Sequence, residues 1–343
     1  MGVNRRTPRT VFLDLRGEKV APMPPPDEGL VMCLGNFDGV HIAHTSLLRR
    51  GLTLRDERLS HGLCGVFTFF HPSSDYAHLK SPETAEAFVL RKPAQQRHLT
   101  TLKEKLRLFK AQGMDFVCLC DFKDIHTLSA EDFLSFLSHD LKVRGAVCGF
   151  NYRFGMGGRG TAEQLTAHFD RPEAGFFYDV APPCCIDGET VSSTGIRKLL
   201  SQGLAASAAK HLGHPYVLET RVVAGKQLGR KLGYPTANQY FLPESLIPAH
   251  GVYAVLCHTP KGVFPGVANV GSHPTVDRQA AVNCETHVMG PAQDLYGYPM
   301  RVEFLYRMRE EMRFDSVEAL TRAIAHDAEA AEAYIQELSD ILD

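Results

Sequence analysis

Residues 29–48 read GLVMCLGNFDGVHIAHTSLL. The apolar run Leu30 to Leu34 has the texture of a strand buried on both faces. The turn formers Gly35, Asn36, Asp38 and Gly39 follow, and a leucine-bearing helical pattern starts near His41. Strand, glycine-bearing turn and helix together form the unit from which an open parallel sheet is built.

The same unit recurs downstream. GLCGVFTFF, DFVCLC, VRGAVCGF and GFFYDVA are near-continuous apolar stretches, as expected for strands of a parallel sheet covered on both sides. Between them, Leu99, Leu102, Leu106 and Phe109 recur at helical spacing, and SAEDFLSFL opens with Ser129 and Asp132 placed as a capping box. The alternation predicts a doubly wound α/β domain over residues 1–205, with APMPPPDEG as a loop before the first strand. Beyond it, YVLETRVV, GVYAVLCHT, GVFPGVANVG, AVNCETHVM and MRVEFLYRM are separated by glycine and proline turns without helices, which predicts an antiparallel barrel or sandwich over residues 206–343. A last helix is expected from about Ser316 to Leu338, with Leu320, Ile324, Ala331, Ile335 and Leu338 along one side.

Composition narrows the function classes. A chain of 343 residues with 44% hydrophobic and 22% charged residues has room for two domains with separate cores. A formal charge of −2 gives no overall attraction to phosphate polymers or anionic membranes, so nucleic acid and membrane are not expected partners. The nine cysteines sit mostly in apolar runs and form no Cys-x-x-Cys pair, which reads as reduced core thiols in a cytoplasmic protein. The N-terminal stretch has a short apolar run broken by Asp14 and Arg16 and so lacks a leader pattern, and no run reaches the roughly 20 apolar residues of a membrane span.

In an open parallel sheet, ligands bind beyond the carboxyl ends of the strands, where free N–H groups at helix N-termini favour phosphate. Gly35 and Gly39 allow close backbone approach there. His41 and His44, three apart at a helix start, share a face and can donate to a polyphosphate or stabilise charge on departing pyrophosphate. Taken bare, the pair is equally compatible with half a metal site or with surface residues.

The full string from Gly35 to His44, with Asn36, Phe37 and Asp38, resembles the His-x-Gly-His signature of nucleotidyltransferases in the form carried by prokaryotic bifunctional riboflavin kinase/FAD synthetases. GFNYRFGMGGRGT (149–161) is similar to that family's Gly-x-Asn/Asp-Phe-x-Phe-Gly loop, and VSSTGIRKLLSQG (191–203) to its Ile-Ser-Ser-Thr-x-Ile-Arg segment. The resemblance implies that Asn151 meets a ribose or base, that Ser193, Thr194 and Arg197 meet phosphate at a helix start, and that His71 lies near flavin or phosphate. Two departures stand out: Ala43 replaces the family's usual glycine, and TFFHPSS is one residue short of its Asp/Glu-Pro-His-Pro segment.

The second domain holds VVAGKQLGRKLGYPTANQYF (222–241). Gly225, Gly229 and Gly233 with Lys226, Arg230 and Lys231 make a basic loop without the P-loop order, which alone reads as a solvated hairpin. Pro235-Thr236-Ala237-Asn238 resembles the Pro-Thr-Ala-Asn motif of riboflavin kinases. That likeness implies that Thr236 and Asn238 hold Mg²⁺ and ATP phosphates, and it places Glu285 at the catalytic glutamate. A carboxylate suits the task, because a primary alcohol is a poor nucleophile until its proton is accepted. With motifs of both domains in family order from residue 30 to 327, the resemblance implies an α/β nucleotidyltransferase domain followed by a β-barrel kinase domain. They would convert riboflavin to FMN and FMN to FAD with MgATP. A kinase with a degenerate adenylyltransferase domain, and a non-catalytic flavin or nucleotide carrier, are the rival readings.

Overall fold

The computed structural model describes residues 8, 10–17, 19–21, 29–70, 97–225, 229, 232–273 and 281–342. The chain divides into two compact units, Met1–Thr84 with Thr100–Ser192 and Ala85–Leu99 with Ser193–Asp343.

The first unit carries strands β1 (Thr10–Asp14), β2 (Lys19–Ala21), β3 (Leu30–Leu34), β4 (Leu63–Phe70), β5 (Phe116–Asp121), β6 (Val143–Gly149), β7 (Arg153–Phe154), β8 (Gly160–Thr161), β9 (Phe177–Ala181), β10 (Cys185–Ile186) and β11 (Glu189–Thr190). Its helices are α1 (Ile42–Arg58), α2 (Leu102–Ala111), α3 (Phe122–Ile125), α4 (Ala130–Ser135) and α5 (Ala162–Phe169). Seven strands form one sheet in the order β2-β1-β5-β4-β3-β6-β9. Strands β3, β4, β5, β6 and β9 run parallel, and the β1–β2 hairpin adds an antiparallel edge.

That hairpin corrects one expectation: the run at Leu30 is the third strand, not the first. Asp14 and Arg16, which break the N-terminal apolar run, make its turn instead, as the Asp14 carboxylate accepts from the Arg16 and Gly17 N–H groups at 2.9 and 3.3 Å. The loop expected at 21–29 keeps only its ends in view, Ala21 closing β2; residues 22–28 lie outside the described residues. Similarly, Leu99 is buried but precedes α2, because Thr101 caps that helix by accepting from the Glu104 N–H at 3.2 Å.

Strand β3 is buried along its whole length and feeds two cores. Leu30, Met32 and Leu34 face Phe67, Phe116, Phe133 and Phe169, whereas Val31 and Cys33 face Leu47, Leu48, Val66 and Phe109. Helix α1 lies close on the second face: a Cβ at Gly51 would come within 2.3 Å of Cys33 Sγ and 3.1 Å of Cys64 Sγ. Glycine at that position therefore fixes how near α1 sits to the strand that precedes it.

The second unit has helices α6 (Ser193–Ser201) and α7 (Ala205–Leu212), strands β12 (Tyr216–Arg221), β13 (Thr236–Tyr240), β14 (Gly251–Thr259), β15 (Gly262–His273), β16 (Ala281–Val288) and β17 (Pro299–Arg309), and the terminal helix α8 (Val317–Leu342). The strands form a single antiparallel sheet in the order β12-β17-β14-β15-β16-β13. Just beyond β12, the Val223 N–H donates to Asn238 O of β13 at 2.8 Å, so the two ends of the order meet and the sheet is a barrel rather than a sandwich. Ala331 and Tyr334 of α8 pack on Val252, Ala254 and Val267, and Arg309 clasps the buried Asp327 through contacts of 2.7 and 2.9 Å.

The compact units part at Ser192/Ser193, upstream of the change in sequence texture at 205/206. Helices α6 and α7 belong to the second unit by packing, since the Ala249 N–H donates to Leu200 O at 2.9 Å and α7 rests on β17. Helical periodicity is blind to which unit receives the apolar face.

Gly51→Ala is expected to lower stability by about 1–3 kcal/mol, the usual cost of overpacking a filled core, with the loss seen in urea unfolding. An unchanged midpoint would mean that α1 is free to lift away from β3.

Candidate active sites

In the first unit, the carboxyl ends of β3 and β6 lie side by side. The segment Gly35 to His41 leaves β3, and Asn151 sits on an exposed turn after β6, so the sheet brings these expected site residues to one edge. The Gly35 N–H donates to Phe67 O at 3.2 Å and holds the loop against β4. Three residues then take left-handed backbone angles, Phe37 (φ 52°), Gly39 (φ 86°) and Val40 (φ 39°). Glycine adopts that region freely; a β-branched valine does so only against strain of about 1–3 kcal/mol. Burial holds it there, with Phe37 edge-on to Phe109 at 5.5 Å and Val40 in the same core. Asp38 is also buried, its carboxylate accepting from the Thr100 N–H at 3.3 Å while the Gly39 N–H donates to Thr100 Oγ1 at 3.0 Å.

The result is a turn that delivers two imidazoles together. His41 is the N-cap of α1, its Nδ1 accepting from the His44 N–H at 3.4 Å, and the rings stack with centroids 3.6 Å apart at 15°. His44 also meets the Phe37 ring at 5.0 Å, and its Nδ1 is buried without a hydrogen-bond partner. Burial first, then His41 and Lys105, hold the His44 imidazole well below its ordinary range, so the ring is neutral at neutral pH. Ala43 lies between the two histidines in the first turn of α1.

Lys105 was not legible as a site residue. It comes from α2, far along the chain, yet its buried Nζ donates to Asn36 O at 2.8 Å, a carbonyl that also accepts from Thr68 Oγ1 at 3.0 Å. A lone lysine within an amphipathic helix carries no motif. Thr68–Phe70, the start of the shortened TFFHPSS segment, end β4, whereas His71 and the rest of that segment lie outside the described residues.

Ser193, Thr194 and Arg197 belong to the second unit. Ser193 and Thr194 form the first turn of α6, and Arg197 Nε donates to Arg97 O at 2.7 Å.

The barrel brings its own expected residues together by register. Antiparallel pairing sets Asn238 of β13 opposite Glu285 of β16, and Glu285 opposite Asn269 of β15. Directly paired residues share a face, so a carboxylate stands between two carboxamides. Thr236 and Asn238, two apart on β13, also share that face. The Pro-Thr-Ala-Asn segment is thus mostly strand, with Thr236 opening β13. Gly225 lies directly over Asn238, since a Cβ there would come within 2.4 Å of Asn238 Nδ2. Gly229 O accepts from the Tyr234 N–H at 2.8 Å, Gly233 takes a left-handed φ of 86°, and Pro235 O is hydrogen-bonded to His287 Nδ1 at 3.0 Å. Lys226 and Lys231 lie outside the described residues.

Two further groups join this face. Asn283 precedes Glu285 by two, and its Nδ2 donates to Asn238 Oδ1 at 3.2 Å and Glu285 Oε1 at 3.4 Å. Glu311 accepts from Asn269 Nδ2 at 3.3 Å. The alternation of β16 offered a signal for Asn283, because any residue two from Glu285 on a strand points the same way; Glu311 had none. The oxygen donors Thr236 and Asn238 suit a hard divalent cation. Among the described residues there is no cluster of three His, Cys, Asp or Glu side chains able to hold a metal.

Two family models match the chain, riboflavin kinase over residues 212–335 and FAD synthetase over residues 23–195. The bifunctional riboflavin kinase/FMN adenylyltransferase of Escherichia coli (strain K12) is 36% identical over 308 residues, covering 88% of this chain and 91% of that protein. The Pseudomonas fluorescens protein of the same description is 34% identical, covering 90% and 94%. A crystal structure described as a macrolide-efflux protein from Streptococcus pneumoniae aligns with a TM-score of 0.76 at 29% identity, over 93% of this chain and 97% of that one. Among the described residues no helix is long and apolar enough to cross a membrane.

A depressed His44 makes stability pH-dependent. As pH falls through about 6.5 the unfolded chain takes up a proton that the folded chain refuses, so His44 makes the fold less stable with acidification. An imidazole NMR titration, assigned with His44→Gln, is expected to show the His44 signal unmoved through about pH 6.5; a midpoint there or higher contradicts the site as described.

Proposed function

The chain belongs to the bifunctional riboflavin kinase/FMN adenylyltransferase family, and on that premise we propose which of its residues carry each reaction. The enzyme phosphorylates riboflavin to FMN and adenylylates FMN to FAD. Both activities use ATP and usually a divalent metal ion. We assign the kinase to residues 206–343 and the adenylyltransferase to residues 1–205, with Mg²⁺ as the metal and the cytoplasm as the compartment.

In the kinase, Glu285 accepts the proton of the ribityl 5′-hydroxyl as that oxygen attacks the γ-phosphorus of ATP. Thr236 and Asn238 would hold Mg²⁺ and the ATP phosphates, with Gly225, Lys226, Gly229, Lys231, Gly233 and Pro235 as further contacts to ATP. The metal, when bound, neutralises charge on the transferred phosphoryl group. The observation that supports this reading above others is the register that stands Asn238 directly opposite Glu285, so that the phosphate anchor and the base are neighbours on one face.

In the adenylyltransferase, the FMN phosphate attacks the α-phosphorus of ATP and pyrophosphate leaves. His41, His44 and the N–H groups at the start of α1 stabilise charge on the departing group; because His44 is neutral, it acts through hydrogen bonding. Lys105 adds a fixed positive charge beside Asn36. Gly35, Asn36, Phe37, Asp38 and Gly39 shape the cradle, and His71 and Asn151 contact nucleotide or flavin; a phosphate-binding role for Ser193, Thr194 and Arg197 rests on the resemblance of their segment alone.

Chromatographic separation of riboflavin, FMN and FAD tests the assignment. Glu285→Gln is expected to lower FMN formation at least about a hundredfold while conversion of supplied FMN to FAD continues, and His44→Ala to do the reverse. Chelation stops both steps and MgCl₂ restores them. Either variant stopping both reactions, or neither, contradicts the division of labour.

A further inference from the structure

Asn283 is held in a way that stability does not explain. It is 4% exposed, and its Oδ1 is buried with no hydrogen-bond partner. An orphaned buried carbonyl destabilises the fold, and an apolar side chain of similar volume would avoid that cost. Its two N–H groups, by contrast, are both spent within the face described above, one toward Asn238 Oδ1 at 3.2 Å and one toward Glu285 Oε1 at 3.4 Å.

The surroundings close the other directions. Across the ladder Asn283 stands opposite Gly271, and the space over that glycine is filled by Glu311, whose Oε1 would lie 1.9 Å from a Cβ there. Glu311 in turn takes the Nδ2 of Asn269, the residue opposite Glu285. Hence Asn283 bonds both to the proposed phosphate anchor and to the proposed base.

We infer that Asn283 is a positioning residue for phosphoryl transfer: its carboxamide fixes the Glu285 carboxylate relative to Asn238, so that hydroxyl and γ-phosphate meet at a set separation. This rests on the reading of Glu285 as the base. A tie of this kind acts in the transition state more than in substrate binding, so its loss falls on kcat rather than on KM.

The test uses the full chain and two variants of nearly equal shape, Asn283→Thr, which keeps a donor, and Asn283→Val, which has none. With saturating MgATP, Asn283→Val is expected to lower kcat for riboflavin phosphorylation about tenfold or more, with KM for riboflavin within about twofold of the parent. Asn283→Thr is expected to recover most of that loss. Circular dichroism and the urea-unfolding transition of the full chain report that the barrel is folded; if Asn283→Val fails that check, the smaller pair Asn283→Ala and Asn283→Ser makes the same comparison. A kcat for the donor-free variant within about twofold of the parent, equal losses in both members of the pair, or a loss confined to KM overturns the inference. Glu285→Gln assayed alongside separates the two claims. Full activity in that variant removes the base itself, whereas its inactivity beside an indifferent Asn283 pair removes only the positioning role.

Discussion

The register of β16 between β13 and β15 is the constraint on which the kinase face depends. Side chains on a strand alternate, so a slip of one residue would carry Asn283, Glu285 and His287 to the opposite side and bring Cys284 and Thr286 in their place. Burial prevents the slip. Cys284 and Thr286 are fully enclosed, and on β13 so is Gln239, whose Nε2 donates to Thr220 O and Met300 O at 2.7 Å each. The interior of the barrel therefore sets the arrangement of groups on its other face, and polar residues there are placed by apolar packing elsewhere.

The first unit solves a comparable problem with backbone strain. Two non-glycine residues in left-handed conformations would not persist in an isolated loop. Here Phe37 and Val40 are buried in the core beneath α1, and the Asp38 and Thr100 hydrogen bonds tie the turn to the residues preceding α2. Each of those contributes stability of the same order as the strain it offsets. What emerges is a helix start at which two imidazoles stack and a buried lysine faces the same loop, an arrangement costly to assemble and suited to negative charge.

Buried charges and thiols fit this picture. Lys105 is tolerated because its ammonium has backbone oxygen at 2.8 Å. Seven of the nine free cysteines are buried, and burial pushes the Cys120 and Cys148 thiols up to about 12, which leaves them as small apolar packing groups.

The sequence by itself determined the parallel strands, the glycine turn after Leu34, the barrel strands and the terminal helix, because burial on one or two faces writes itself as a period of two or 3.6 or as an unbroken apolar run. It also pointed to Glu285, Thr236, Asn238, His41 and His44, since those residues sit in contiguous strings. It did not reveal the β1–β2 hairpin, whose turn residues look like interruptions, nor that α6 and α7 join the second unit. Lys105, Asn269, Asn283 and Glu311 took their places only in three dimensions. Strand alternation hinted only at Asn283; the others reach their faces by cross-strand pairing or by packing from distant segments, and such contacts depend on register and on which surfaces are buried together, neither of which leaves a local period in the chain.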